Sequence, residues 1–134
     1  MSASFQIDVD VTSSLVRMTM GGLFEPADIQ RFLVARDAAH LRLLCGPNEH
    51  LTLNDLREMK IQPQAAVAGF QKLLASPRHR SRRLAFVTGP TLARTQLQRA
   101  LAGRTDTRCF GEVAPAERWL LEDVPAIEPL RRIG

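Results

Sequence analysis

Asp55 closes the apolar run Leu51-Thr52-Leu53-Asn54 and precedes Leu56-Arg57-Glu58, a loop and a helical pattern. A strand that delivers an acid to the start of a loop is how an α/β domain presents a site at the carboxyl edge of its sheet. Asp55 and Arg57 are therefore candidates for ligand or partner binding. Two roles compete for Asp55: holding a polar ligand, or accepting hydrogen bonds from the amides of the following loop, as short acidic side chains do readily in turns. Catalysis would need a second carboxylate or a histidine beside it, and Glu58 three residues on supplies no such geometry. Thr88-Gly89-Pro90-Thr91 leads a second apolar run into a helix. The free amides of a helix start favour anions, so Thr88, Thr91 and Arg94, one turn on, form the best phosphate or carboxylate candidate. The competing reading is a helix cap with proline in the first turn. A Walker loop would need more glycines and a lysine.

His40, His50 and His79 fall at a helix end, a strand start and a loop, with no spacing suited to zinc, and neither metal nor cofactor is expected. Cys45 and Cys109 lack ligand or redox spacing and read as small buried apolar residues of a cytoplasmic chain. No nucleophile, base and orienting group converge, so the expectation is a protein that is not an enzyme. The net charge of +4 hides an asymmetry: residues 60–108 carry ten Lys and Arg against Asp106 alone. A basic half and an acidic remainder would attract an anionic partner or a second copy of the chain. The densest run, Arg78-His79-Arg80-Ser81-Arg82-Arg83, reads as a solvated, mobile loop. Nucleic acid is not the expected partner, because a chain with no Tyr and one Trp offers few stacking surfaces. The amino terminus carries no signal run, and no apolar stretch approaches the roughly 20 residues of a membrane span.

The elements that must position these groups follow from periodicity. Phe5, Ile7 and Val9 alternate with polar residues, which predicts a strand over Ser4 to Val11, and the turn Thr12-Ser13-Ser14 returns an antiparallel strand over Leu15 to Met20. Glu25-Pro26 and Asp28 open a helix reaching about Leu44, with Ile29, Phe32, Leu33 and Ala39 inward. A parallel strand over about His50 to Asn54 follows, then a helix opened by Gln62-Pro63-Gln64 with Ala66, Phe70, Leu73 and Leu74 inward. Arg83 to Val87 is the central strand, followed by a third helix that Gly103 caps. Arg108 to Phe110 is a short edge strand, and Pro115 to Leu121 a closing helix in which Trp119 and Leu120 seal the core. This makes one α/β domain over residues 1–123, with an irregular tail over 124–134.

The hairpin with Gly21-Gly22, Leu51 to Leu56 with Asp55, Leu84-Ala85-Phe86-Val87-Thr88, Thr91 to Gln98, and Phe110 followed by Glu117-Arg118-Trp119-Leu120 together resemble the SpoIIAA-like, or STAS-like, family of small bacterial proteins. The resemblance implies a mixed sheet with its first strand antiparallel and helices packed on it, a fold shared with anti-sigma-factor antagonists and related in topology to CRAL-TRIO lipid-binding domains. It implies a regulatory module acting through protein contacts, and a homodimer is expected. STAS regulators carry a phosphorylatable serine where the next helix begins. Ile61-Gln62-Pro63-Gln64-Ala65 has no hydroxyl, so that switch does not carry over. The alternative is a carrier or sensor of an apolar or phosphate-bearing small molecule in a cleft beside the sheet.

Overall fold

The computed structural model describes residues 2–60, 62–75, 79–89, 92–101 and 103–122. Its elements are β1 (Ser4–Asp10), β2 (Leu15–Gly22), α1 (Pro26–His40), β3 (Leu51–Met59), α2 (Gln64–Ala75), β4 (Arg83–Val87), α3 (Leu92–Ala100), β5 (Thr107–Phe110) and α4 (Val113–Glu122). The expected tail, residues 124–134, lies outside the described residues.

The strands stand in chain order, β1-β2-β3-β4-β5, with β1 antiparallel to β2 and every other pair parallel. This is the expected mixed α/β sheet. Each crossover moves the chain one strand further in the same direction, so helices that cross with the usual right hand fall on one face. Phe32 of α1, Phe70 of α2 and Leu97 of α3 do face one common space. The opposite face belongs to α4, whose Ala116 and Leu120 pack on Leu15, Leu51, Leu53, Ala85 and Val87. Trp119 is partly buried against that cluster, with the Arg83 guanidinium 4.6 Å from its ring centroid.

Two elements differ from their sequence-based bounds. β3 does not stop at Asn54. Its pairing with β4 ends at Asp55 and Val87, but after a one-residue register shift it continues along β2, with Glu58 opposite Gly21 and Met59 opposite Gly22. The bulge breaks the alternation that a strand pattern relies on, which hides the extension. α1 ends at His40 and not near Leu44: Leu41 and Leu44 are 85% and 84% exposed and extend no buried stripe. Gly22 ends β2 with φ at +80°, where an added Cβ would lie 2.1 Å from the Ser2 carbonyl oxygen. Only glycine fits there.

Candidate functional site

Sheet residues that point toward the three crossover helices form the floor of a cleft: Met18 and Met20 of β2, Thr52, Asn54 and Leu56 of β3, and Leu84, Phe86 and Thr88 at β4. Phe32, Val67 and Phe70 give apolar walls, and the volume is about 250 Å³. Among the described residues, Ala66, Phe70 and Leu73 of α2 pack in one apolar cluster and Leu97 of α3 against another, and the cleft opens between them, while α1 packs on β1 and α4 on β3, β4 and β5. It divides the apolar packing of this face. Val16, Met18, Phe24 and Phe32 cluster on one side and Leu84, Phe86 and Leu101 on the other, with Leu56 touching both. Because the strand order never reverses, the sheet has no crevice between diverging crossovers at its carboxyl edge, where open α/β sheets usually bind ligands. The concavity lies under the helices instead.

At the carboxyl edge, Asp55 sits inside the bulged part of β3. It accepts bonds from the Arg57 amide at 3.1 Å, Arg57 Nε at 3.0 Å and Arg57 Nη2 at 2.8 Å. The side-chain bonds from Arg57 come first among the causes that hold the Asp55 carboxyl below its usual range. Asp55 thus does bond to an amide just beyond it, but within a strand and not a loop. Gln62 occupies the segment where STAS regulators carry serine. Its Oε1 accepts from the Phe24 amide at 2.8 Å, and its Nε2 donates to the Gly22 carbonyl at 2.9 Å and the Lys60 carbonyl at 2.6 Å. One side chain therefore ties the chain leaving β2 to the chain leaving β3.

At the amino edge, the three histidines converge. The His40 ring stacks on His79 at 4.2 Å between centroids and meets His50 edge-on at 4.8 Å. His40 Nδ1 donates to the Arg36 carbonyl at 2.7 Å, and the two Nε2 atoms of His40 and His50 are 3.3 Å apart. Ser81 Oγ lies 3.2 Å from His50 Nε2 and 2.6 Å from Thr52 Oγ1. Burial, then the neighbouring His40 and His79, push the His50 pKa down to about 4. Among the described residues no three His, Cys, Asp or Glu side chains are grouped to hold a metal ion. The sequence separations of ten and 29 or more residues gave no hint of this cluster; only the crossover, which returns the end of α1 to the start of β3, assembles it.

The basic run does not behave as a free loop over its described residues. His79 Nε2 is 3.0 Å from Asp37, Arg80 bonds to Asp106 at 3.1 Å, and Arg83 donates to the Trp119 carbonyl at 2.7 Å. Asp106 also holds Arg104 at 3.2 Å. Burial pushes the Asp106 carboxyl up, but bonds from Arg104, Arg80 and Thr107 prevail and bring it to about 2. Cys109 is half-buried and its thiol is pushed up, by burial first, against a smaller opposing effect of Arg94.

Of the expected anion site only Thr88 and Arg94 fall among the described residues. Thr88 lines the cleft, Arg94 lies near Cys109 and does not, and Thr91 is outside the described residues. Arg57 lines the cleft while Asp55 does not. Asn54, absent from the sequence-based candidates, lies on the floor. Among the described residues, its side-chain oxygen and the hydroxyl of Thr88, a residue only 5% exposed, have no hydrogen-bond partner.

A mixed sheet with an antiparallel first strand and three helices on one face is a SpoIIAA-like fold. The chain superposes with a TM-score of 0.68 on the crystal structure of an uncharacterised protein of the DUF3478 family with a SpoIIAA-like fold, from Shewanella loihica PV-4. The two are 18% identical over 88% of this chain and 93% of that one, a likeness of fold. No protein-family model matches the chain, and no curated protein does. Among the described residues no helix is long and apolar enough to cross a membrane.

Proposed function

We propose that this chain is a non-enzymatic binding module whose cargo, a small molecule with an apolar body, lies in the cleft between the sheet and its crossover helices. The observation that carries this reading is the divided core: about 250 Å³ separates two apolar clusters that a domain of this size would otherwise merge. Burying apolar ligand surface there is worth about 0.8 kcal/mol per methylene, so a short alkyl chain outweighs any single screened ion pair at the rim. Three of the cations lining the cleft, which also include Arg36 and Lys60, argue the same way. Arg57 is engaged by Asp55, and Arg80 and Arg104 by Asp106, so a phosphate would compete with carboxylates already in place.

Among the described residues, the contact of Ser81 with His50 supports no hydrolytic role. An imidazole titrating at about 4 is unprotonated at neutral pH but a weak base toward a serine hydroxyl, and no carboxylate bonds to the His50 ring among its identified partners. Native mass spectrometry of protein purified gently from cells tests the proposal. A non-covalent small-molecule adduct is expected, and it should vanish in Phe86→Arg, which places a charge in the floor. Adduct-free protein whose melting temperature no amphiphile raises would overturn it.

A second reading, association through protein contacts as a homodimer, is favoured by Val34, 71% exposed on α1, together with Leu41 and Leu44 just beyond that helix. Light scattering after size exclusion, at low and high salt, decides it: a strictly monomeric mass at tens of micromolar removes the dimer.

A further inference from the structure

The floor of the cleft is not uniformly apolar. Asn54 faces Phe86 across the β3–β4 ladder, and Thr88 lies two residues beyond Phe86 on the same face. Two residues along and one strand over is about 8 Å between backbones, close enough for one ligand group to meet both side chains. Thr88 is 95% removed from solvent, since it is 5% exposed, and among the described residues neither its hydroxyl nor Asn54 Oδ1 has a hydrogen-bond partner. Buried polar atoms are nearly always bonded, and one left alone costs the domain stability. Thr52, two residues before Asn54 on the same face, shows the normal case, with its hydroxyl 2.6 Å from Ser81. Neither unpaired atom caps a helix or holds a turn. Thr88 contributes to the fold through its amide, which donates to the Phe110 carbonyl at 2.9 Å.

From this pair we infer a polar subsite within the cleft, in which Asn54 and Thr88 take the neutral head of an amphipathic ligand, a group that presents a donor and an acceptor together, as a primary amide or an uncharged carboxyl does. This rests on the cleft being the binding site and adds what kind of molecule enters it. Asn54 Oδ1 accepts the ligand's N–H or O–H, and the Thr88 hydroxyl donates to its carbonyl. A purely apolar ligand would leave both atoms unpaired in a drier site than before. A carboxylate would bring negative charge to the Asn54 oxygen.

The test compares octanamide, N,N-dimethyloctanamide and octanoate by calorimetry and thermal shift. Octanamide keeps the donor and acceptor, the dimethyl compound loses the donor, and octanoate is charged. Octanamide should bind about tenfold tighter than its dimethyl analogue, the worth of one well-made buried hydrogen bond. Asn54→Leu should abolish that ratio. Thr88→Val should weaken octanamide several-fold while raising the melting temperature of the free protein by roughly 2–4 °C, because an isosteric methyl removes an unpaired hydroxyl. A stability gain paired with an affinity loss is not what a merely structural threonine would give. Equal affinity for octanamide and its dimethyl analogue, or a preference for octanoate, overturns the subsite and leaves the cleft standing. Failure of all three to bind removes the cleft and the subsite together.

Discussion

His50 shows how much a single residue's setting matters. Its side chain is buried beside two other imidazoles and titrates near 4, against 6.5 for the free group. As the pH falls, the unfolded chain takes up this proton first, so the stability His50 contributes is whole above pH 6.5 and is lost progressively down to about pH 4. A shift of this size corresponds to about 3 kcal/mol. His40, also lowered, chiefly by burial, adds in the same direction. Urea midpoints measured across that window should fall for the wild type and fall less for His50→Leu; a wild-type midpoint independent of pH would show that the ring is not held neutral. Asp55 was legible in the sequence as a residue that binds a nearby amide, but its partner was not. Residues 55 and 57 share a strand face only if the strand continues past Asn54, and the bulge conceals that continuation. Asn54 and Thr88 were harder still, since an unpaired polar atom is a property of surroundings that no residue spacing records.

Most helices and strands could be read from periodicity because each buries one face. The exceptions are instructive. The inward stripe of α1 includes Arg36, a buried cation that faces the cleft, where an apolar residue would be expected, and Leu33 is only partly buried. The segment after β3 carries no pattern; its order comes from the Gln62 amide, which holds two connections at once. Gln62→Ala should cost roughly 1–3 kcal/mol, because it strips the partly buried Phe24 amide of its acceptor. Denaturant unfolding measures this directly. A loss below about 0.5 kcal/mol would show that water replaces the clamp without penalty. Gln62 also explains why the missing hydroxyl matters less than it first suggests: the position that could have carried a switch carries a fastening.

Across the molecule, the right-handed crossover rule and the unreversed strand order together determine where a ligand can go. The mixed sheet could be read from periodicity, whereas a cleft beside it entered only through the resemblance, since an apolar helix face looks the same whether or not it borders a cavity. β2, β3 and β4 carry the fully buried Leu15, Val16, Leu51, Ala85 and Val87, whereas α2 and α3 border the cleft, so amides of α2 and α3 should exchange with deuterium well before those of the three strands. A bound amphiphile should slow α2 and α3 selectively. Uniform protection across all five would mean that the helices are as firmly packed as the strands.

Among the described residues, the strand order also leaves the sheet two margins without a neighbouring strand. β5 offers four residues, too short a template for another chain, but β1 offers seven. Asp8 and Asp10 alternate along β1 on the face away from Phe5, Ile7 and Val9. If two copies joined through β1 in parallel and in register, each would set these carboxylates beside their counterparts, a like-charge juxtaposition that opposes that pairing at neutral pH. The acids that mark β1 as a half-buried strand therefore also oppose in-register stacking of further copies on this edge.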